Sequence, residues 1–169
     1  MMPVAQAAPV GSAGRRWRTA TLGAAGAWGI LHVVGGLALA AQAVGDSGAA
    51  ALRALASAAP ADQIPSRTGA VTEAVLAFHG ANIAAAGVAV LLISARTARR
   101  DWPTGVGMAM VIMAVLDAGL LAFLLVPGHM RMGDGIWGPL LLMVAAVSAR
   151  QAGWTWRREC QVAPGRSGR

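Results

Sequence analysis

Between Arg18 and Asp46 the chain runs for 27 residues without a formal charge. At 1.5 Å rise per residue, a helix of that length outspans the hydrocarbon core of a bilayer, about 30 Å thick. Three further runs follow. Ala74 to Ala95 is charge-free, Thr104 to Val126 holds only Asp117, and Gly135 to Ala149 is apolar, extending to Trp154 if Arg150 snorkels to the head groups. Each is long enough for one crossing, the last with least margin. The runs show no strand alternation, and open strands leave backbone groups unsatisfied in lipid. The expectation is an all-α integral membrane four-helix up-down bundle, with spans at about 19–43, 70–95, 104–126 and 135–154 and basic tails at 1–18 and 157–169. The tail stretches Met1 to Gly14 and beyond Trp156 read as disordered.

Composition closes the other classes. Charged residues are 12 % of the 169, against about 25 % in ordinary globular chains. The chain is too apolar for disorder, and its one cysteine, Cys160, cannot form an internal bridge. The net charge of +7 comes from 14 arginines and no lysine, set in short clusters between apolar runs. That is not the layout of a nucleic-acid binder. Attraction of these arginines to anionic lipid, roughly 1 kcal/mol per residue near the surface, accounts for them, so the bilayer is the expected partner.

Arginine placement sets the direction. Eleven arginines (Arg15, Arg16 and Arg18; Arg96, Arg99 and Arg100; the five from Arg150 onward) fall on one side, and Arg53, Arg67 and Arg131 on the other. By the positive-inside rule both termini are cytoplasmic. Trp17, Trp102, Trp154 and Trp156 lie at the cytoplasmic boundary and Trp137 at the outer one, as an aromatic belt requires. Arg15-Arg16 followed by Ala38-Leu39-Ala40 has the outline of a cleavable signal, but the apolar run exceeds the 7–15 residues of such signals. In the first outer loop, Asp46 and Ser47 are placed to cap a short helix ending at Ala59 before Pro60, with Leu52 and Leu55 on one face. This helix is expected at the outer membrane surface or over the bundle mouth.

Ionisable groups inside spans are costly and face the bundle interior or a cavity. His32, His79, Asn82 and Asp117 fall at similar depth on three helices, within a layer roughly 5 Å thick by helical rise. Small residues at helical spacing, Ala25, Gly29 and Gly36, share a stripe with His32, and Ala86 shares one with His79 and Asn82. Met110 and Met113 align with Asp117, and Glu73 lies two turns nearer the outside. His32, His79 and Asp117 are the candidate acid–base residues, with Asn82, Glu73, Met110 and Met113 as ligand-binding candidates. A histidine–aspartate pair in low dielectric suits proton exchange with a hydrophobic small molecule or lipid, and Asp117 is expected either neutral or paired with a protonated histidine.

Other readings stay open. Two histidines at equal depth are also the axial pattern of a b-type haem. His129, Met130 and Met132 form a soft-ligand cluster for Cu(I). The polar layer can instead be packing glue in an accessory subunit of a larger membrane complex, or in a homo-oligomer. There is no P-loop, dinucleotide fingerprint, zinc-protease motif or cysteine pair. Whether the chain is an enzyme is not decided by these residues, and no cofactor is required by them.

Leu31-His32-Val33-Val34-Gly35-Gly36, Phe78-His79-Gly80-Ala81-Asn82, and Val126-Pro127-Gly128 through Gly138-Pro139 resemble small four-span bacterial membrane proteins of uncharacterised function. The resemblance covers Trp28 to Ser148 and implies the four-span fold and a bacterial inner-membrane location. It implies no activity.

Overall fold

The computed structural model describes residues 12–45, 48–99 and 102–162, with side chains described through Gly153. All regular structure among them is helical. α1 spans Ser12–Gly45, α2 Ala49–Leu55, α3 Ala70–Thr97 and α4 Trp102–Leu120, the last running on as a π-helical turn at Leu121–Leu125. A short α5, Met132–Gly135, leads into α6, Trp137–Val162. A 3-10 turn, Ala61–Gln63, interrupts the loop between α2 and α3.

Three helices, Ser12–Gly45, Ala70–Thr97 and Trp102–Leu125, are long and apolar enough to cross a bilayer. Their outward faces carry Val34, Phe78, Val111 and Phe123, each more than 60 % exposed, while the core is rich in alanine and glycine. Large apolar groups outside and small ones inside is the arrangement of helices packed in lipid. The chain is compatible with a membrane protein.

α1 is the hub, packed against α2, α3 and α6, and α4 bridges α3 and α6. The α1–α3 contact is made backbone to backbone. A Cβ on Gly36 would stand 2.5 Å from both the Ala84 nitrogen and the Gly80 oxygen, and one on Gly80 would stand 2.6 Å from the Gly36 oxygen. One heptad along, Gly29 and Gly87 repeat the arrangement. Because Gly36 meets Gly80 while Gly29 meets Gly87, the two helices are antiparallel. One apolar cluster, including Ala25, Trp28, Val90, Met113 and Ala145, draws on all four long helices, and a second joins Leu39 and Ala43 of α1 to Ala51 of α2 and Leu76 of α3.

The boundaries differ from expectation at both ends. α1 begins at Ser12, so residues 12–14 are helical rather than part of a disordered tail. Arg15 to Ala20 contain nothing that stops a helix. α6 starts at Trp137, after the separate α5, and continues past Trp156 to Val162. The loop helix is shorter than expected. It opens at Gly48, whose φ of 67° is a left-handed conformation, and closes at Leu55. Its expected caps, Asp46 and Ser47, lie outside the described residues, as do Arg100, the stretch 1–11 and the tail 163–169. α2 packs over the ends of α1 and α3, where Ala49 and Ala51 are buried.

The segment after α2 is fastened to the loop before α5. The Ser57 hydroxyl donates to Asp134 Oδ2 at 2.6 Å and accepts from the Arg131 N–H at 3.0 Å. The Ala58 N–H donates to the His129 carbonyl at 3.0 Å. In the π turn the Val126 N–H reaches the Leu121 carbonyl at 2.9 Å, and the helix then stops in a Schellman motif. There Gly128, at φ 79°, lets His129 bond back to Leu124 and Gly128 to Leu125.

Candidate functional site

His32, His79 and Asp117 each lie three to five residues from their helix midpoints, on the side toward α2. At 1.5 Å per residue this layer is roughly 5–7 Å off centre. Within it, α1 delivers Trp28 and His32 one turn apart. The two rings stack, with centroids 3.6 Å apart and planes at 17°. Trp28 is fully buried, and its indole N–H donates to Asp117 Oδ2 at 3.0 Å.

The His32 Nδ1 sits 2.9 Å from the Trp28 carbonyl oxygen, which can only accept, so Nδ1 carries the hydrogen. That leaves Nε2 facing Asp117 Oδ1 at 3.9 Å. Oδ1 is buried and has no hydrogen-bond partner. A neutral imidazole and an ionised carboxylate would oppose lone pair to lone pair across this gap. One proton shared by the pair, as imidazolium or as carboxylic acid, removes the conflict. The carboxylate is boxed in by α6, where a Cβ on Gly138 would stand 2.6 Å from Oδ1 and 3.3 Å from His32 Cε1. Gly138 is thus glycine because the carboxylate needs the space.

Beside His32 a cavity of about 340 Å³ opens between α3 and α4. Its walls are apolar, with Ile83, Val115, Leu116, Phe123 and Leu124 among them; its two histidines are His32 and His79, and Leu55 of α2 reaches it from the helix-end side. The π turn contributes Phe123 and Leu124 to the wall. π turns recur at functional sites because they re-aim side chains without ending the helix.

The remaining candidates are dispersed. Asn82 is exposed and does not line the cavity. Gly80 faces α1, and two residues advance a helix by roughly 200°, so Asn82 points away from the bundle. The stripe of α1 divides in the same way: Gly29 and Gly36 meet α3, whereas His32 turns toward α4 and α6. Met113 is fully buried in the apolar cluster with Trp28, and Met110 packs at its edge. Glu73 accepts from the Thr68 hydroxyl at 3.2 Å, near Gly48 at the α2 end. His129 and Met132 are exposed, and the Met130 sulfur lies against Gly135. Among the described residues no group of three or more His, Cys, Asp or Glu is gathered for a metal ion. Axial haem ligation by His32 through Nε2 would require that nitrogen to turn from Asp117. At the Trp102 end, Arg18 lies over the Trp102 ring, 5.0 Å from its centroid.

Trp28 and Gly138 are the residues that sequence reasoning passed over. A signal existed for the first: tryptophan belongs at interfaces, and one deep in a span, one turn before a histidine, has a polar N–H to satisfy. Comparison with protein-family models, curated proteins and solved structures gives no match to this chain.

Proposed function

We propose that the chain is a four-span protein of a bacterial inner membrane, an up-down bundle with α6 as the fourth span and both termini cytoplasmic, that binds a hydrophobic small molecule or lipid between α3 and α4. The observation that carries this reading is the 340 Å³ cavity, apolar except for His32 and His79, beside the buried His32–Asp117 pair. Its volume lies within the range of about 300–1,000 Å³ usual for small-molecule sites. Val115 and Phe123 on its rim are 67 % and 74 % exposed, so its mouth opens sideways, where lipid would be. Acid–base turnover of the ligand by the His32–Asp117 pair would require His32 Nε2 to swing from Asp117 into the cavity, and His79 lines it without a carboxylate partner among the lining residues. Binding is therefore the activity the geometry favours, with the pair holding a proton behind the wall.

The test is mass spectrometry of lipophiles that co-purify with the protein in nanodiscs, for the wild type and for Val115→Trp, which fills the cavity from its rim. A lipophile near one per chain in the wild type, lost in Val115→Trp while helicity is retained, is the expected result. A colourless wild-type protein that retains none, and takes up none when offered lipid extracts, ends this reading and leaves a packed accessory subunit. A preparation with a Soret band replaces it with haem.

A further inference from the structure

We infer that the cavity between α3 and α4 takes an uncharged lipophile whose one hydroxyl or carbonyl oxygen bonds to His79, rather than an ionised lipid; this rests on the binding reading above and names its substrate class. His79 is the hydrogen-bonding group left for a ligand, because the His32 Nδ1 is engaged by the Trp28 carbonyl and its Nε2 faces Asp117. No arginine is among the residues that line the cavity, so a phosphate or a carboxylate would meet no permanent cation there.

Depth points the same way. His79 lies four to five residues from the midpoint of α3, roughly 7 Å by helical rise, whereas half the hydrocarbon thickness is about 15 Å. The ligand's polar atom would then sit well below the head groups, where an ionised group without a counter-charge is strongly disfavoured. The α2 end is partly covered as well. Leu55 of α2 reaches the cavity at its α2 end, and the segment after α2 is held down by Ser57 on Asp134. A lipid keeping its head at the surface would have to thread past this cover. A molecule already dissolved in the hydrocarbon enters from the side, between Val115 and Phe123. At about 30 Å³ for a water-sized group, the cavity accepts a segment of roughly a dozen heavy atoms.

Three photoreactive probes test this in nanodiscs at pH 8.5: a hexadecanol with a diazirine beside the hydroxyl, a palmitic acid with a diazirine beside the carboxyl, and a phosphatidylglycerol with a diazirine in its head group. Labelled peptides are mapped in the wild type, His79→Leu, His79→Gln and Val115→Trp. The expected result is saturable labelling of 115–124 and 76–83 by the alcohol, reduced at least fivefold in His79→Leu and largely restored in His79→Gln, whose amide bonds to an oxygen. Equal or stronger His79-dependent labelling by the ionised acid or the phospholipid overturns the ligand class but leaves the cavity a binding site. Alcohol labelling indifferent to His79→Leu overturns the role of His79. No probe labelling above the Val115→Trp background brings down both this inference and the binding reading.

Discussion

The two oxygens of Asp117 have different company: Oδ2 takes the indole N–H of Trp28, and Oδ1, which has no hydrogen-bond partner, faces His32 Nε2 across 3.9 Å. The effect of replacing this residue follows from that asymmetry. In Asp117→Asn the amide oxygen still accepts from Trp28 while the amide N–H₂ donates to a neutral His32 Nε2, so both contacts persist without a shared proton. Thermal unfolding in detergent should place this variant within about 1 kcal/mol of the wild type, the net worth of an ordinary hydrogen bond. Asp117→Leu strands the buried indole N–H, and the same measurement should show a loss of about 1–3 kcal/mol. Equal stabilities for the two would mean that the Trp28–Asp117 bond contributes nothing. The depth match of His32 with Asp117 was legible in the sequence because it needs only residue counting. The facing of Asn82 was not, because its direction depends on which stripe of α3 wins the contact with α1, and Gly80 with Gly87 wins it.

α1 and α3 are read well from their charge-free runs, since burying or exposing a charge is the largest local cost a membrane helix meets. The π turn at Leu121–Leu125 left no comparable mark, as five apolar residues satisfy α and π geometry alike. The start of α6 depended on Gly128 and the Schellman stop before it, a local conformation with no effect on hydropathy. Glycine positions on α1 and α3 make the sharpest contrast. Gly36→Ala and Gly80→Ala each push a methyl group into backbone at 2.5–2.6 Å, whereas a methyl on Gly23 meets nothing within 4 Å. Thermal denaturation should show losses of about 1–3 kcal/mol for the first two, the usual cost of overpacking. Gly23→Ala should be neutral or slightly stabilising through helix propensity. A Gly36→Ala protein as stable as Gly23→Ala would contradict the close α1–α3 contact.

For the whole molecule, the arrangement of arginines predicts which end faces the cytoplasm. Reporter fusions after Arg53 and at the C-terminus should read as external and cytoplasmic respectively, and an external C-terminus would invert or break the proposed four-span topology. The polar contact between α1 and α4 has a meaning in time as well as in space. A chain that enters the membrane from its N-terminus completes the α1–α3 hairpin first, with its glycine contact already closed. Trp28 then presents an N–H to lipid with nothing to receive it, and Asp117 arrives on α4 with a carboxylate in the same need. Each half would then carry a group that hydrocarbon rejects until the other half comes, which predicts that the pair acts as an assembly cue for the second hairpin. Two separately expressed halves, divided between Thr97 and Trp102, should therefore co-purify as a complex. Trp28→Phe in the first half or Asp117→Leu in the second should weaken that recovery severalfold, while Gly23→Ala leaves it unchanged. Recovery indifferent to both would leave the halves held by packing alone, with biogenesis owing nothing to the buried acid.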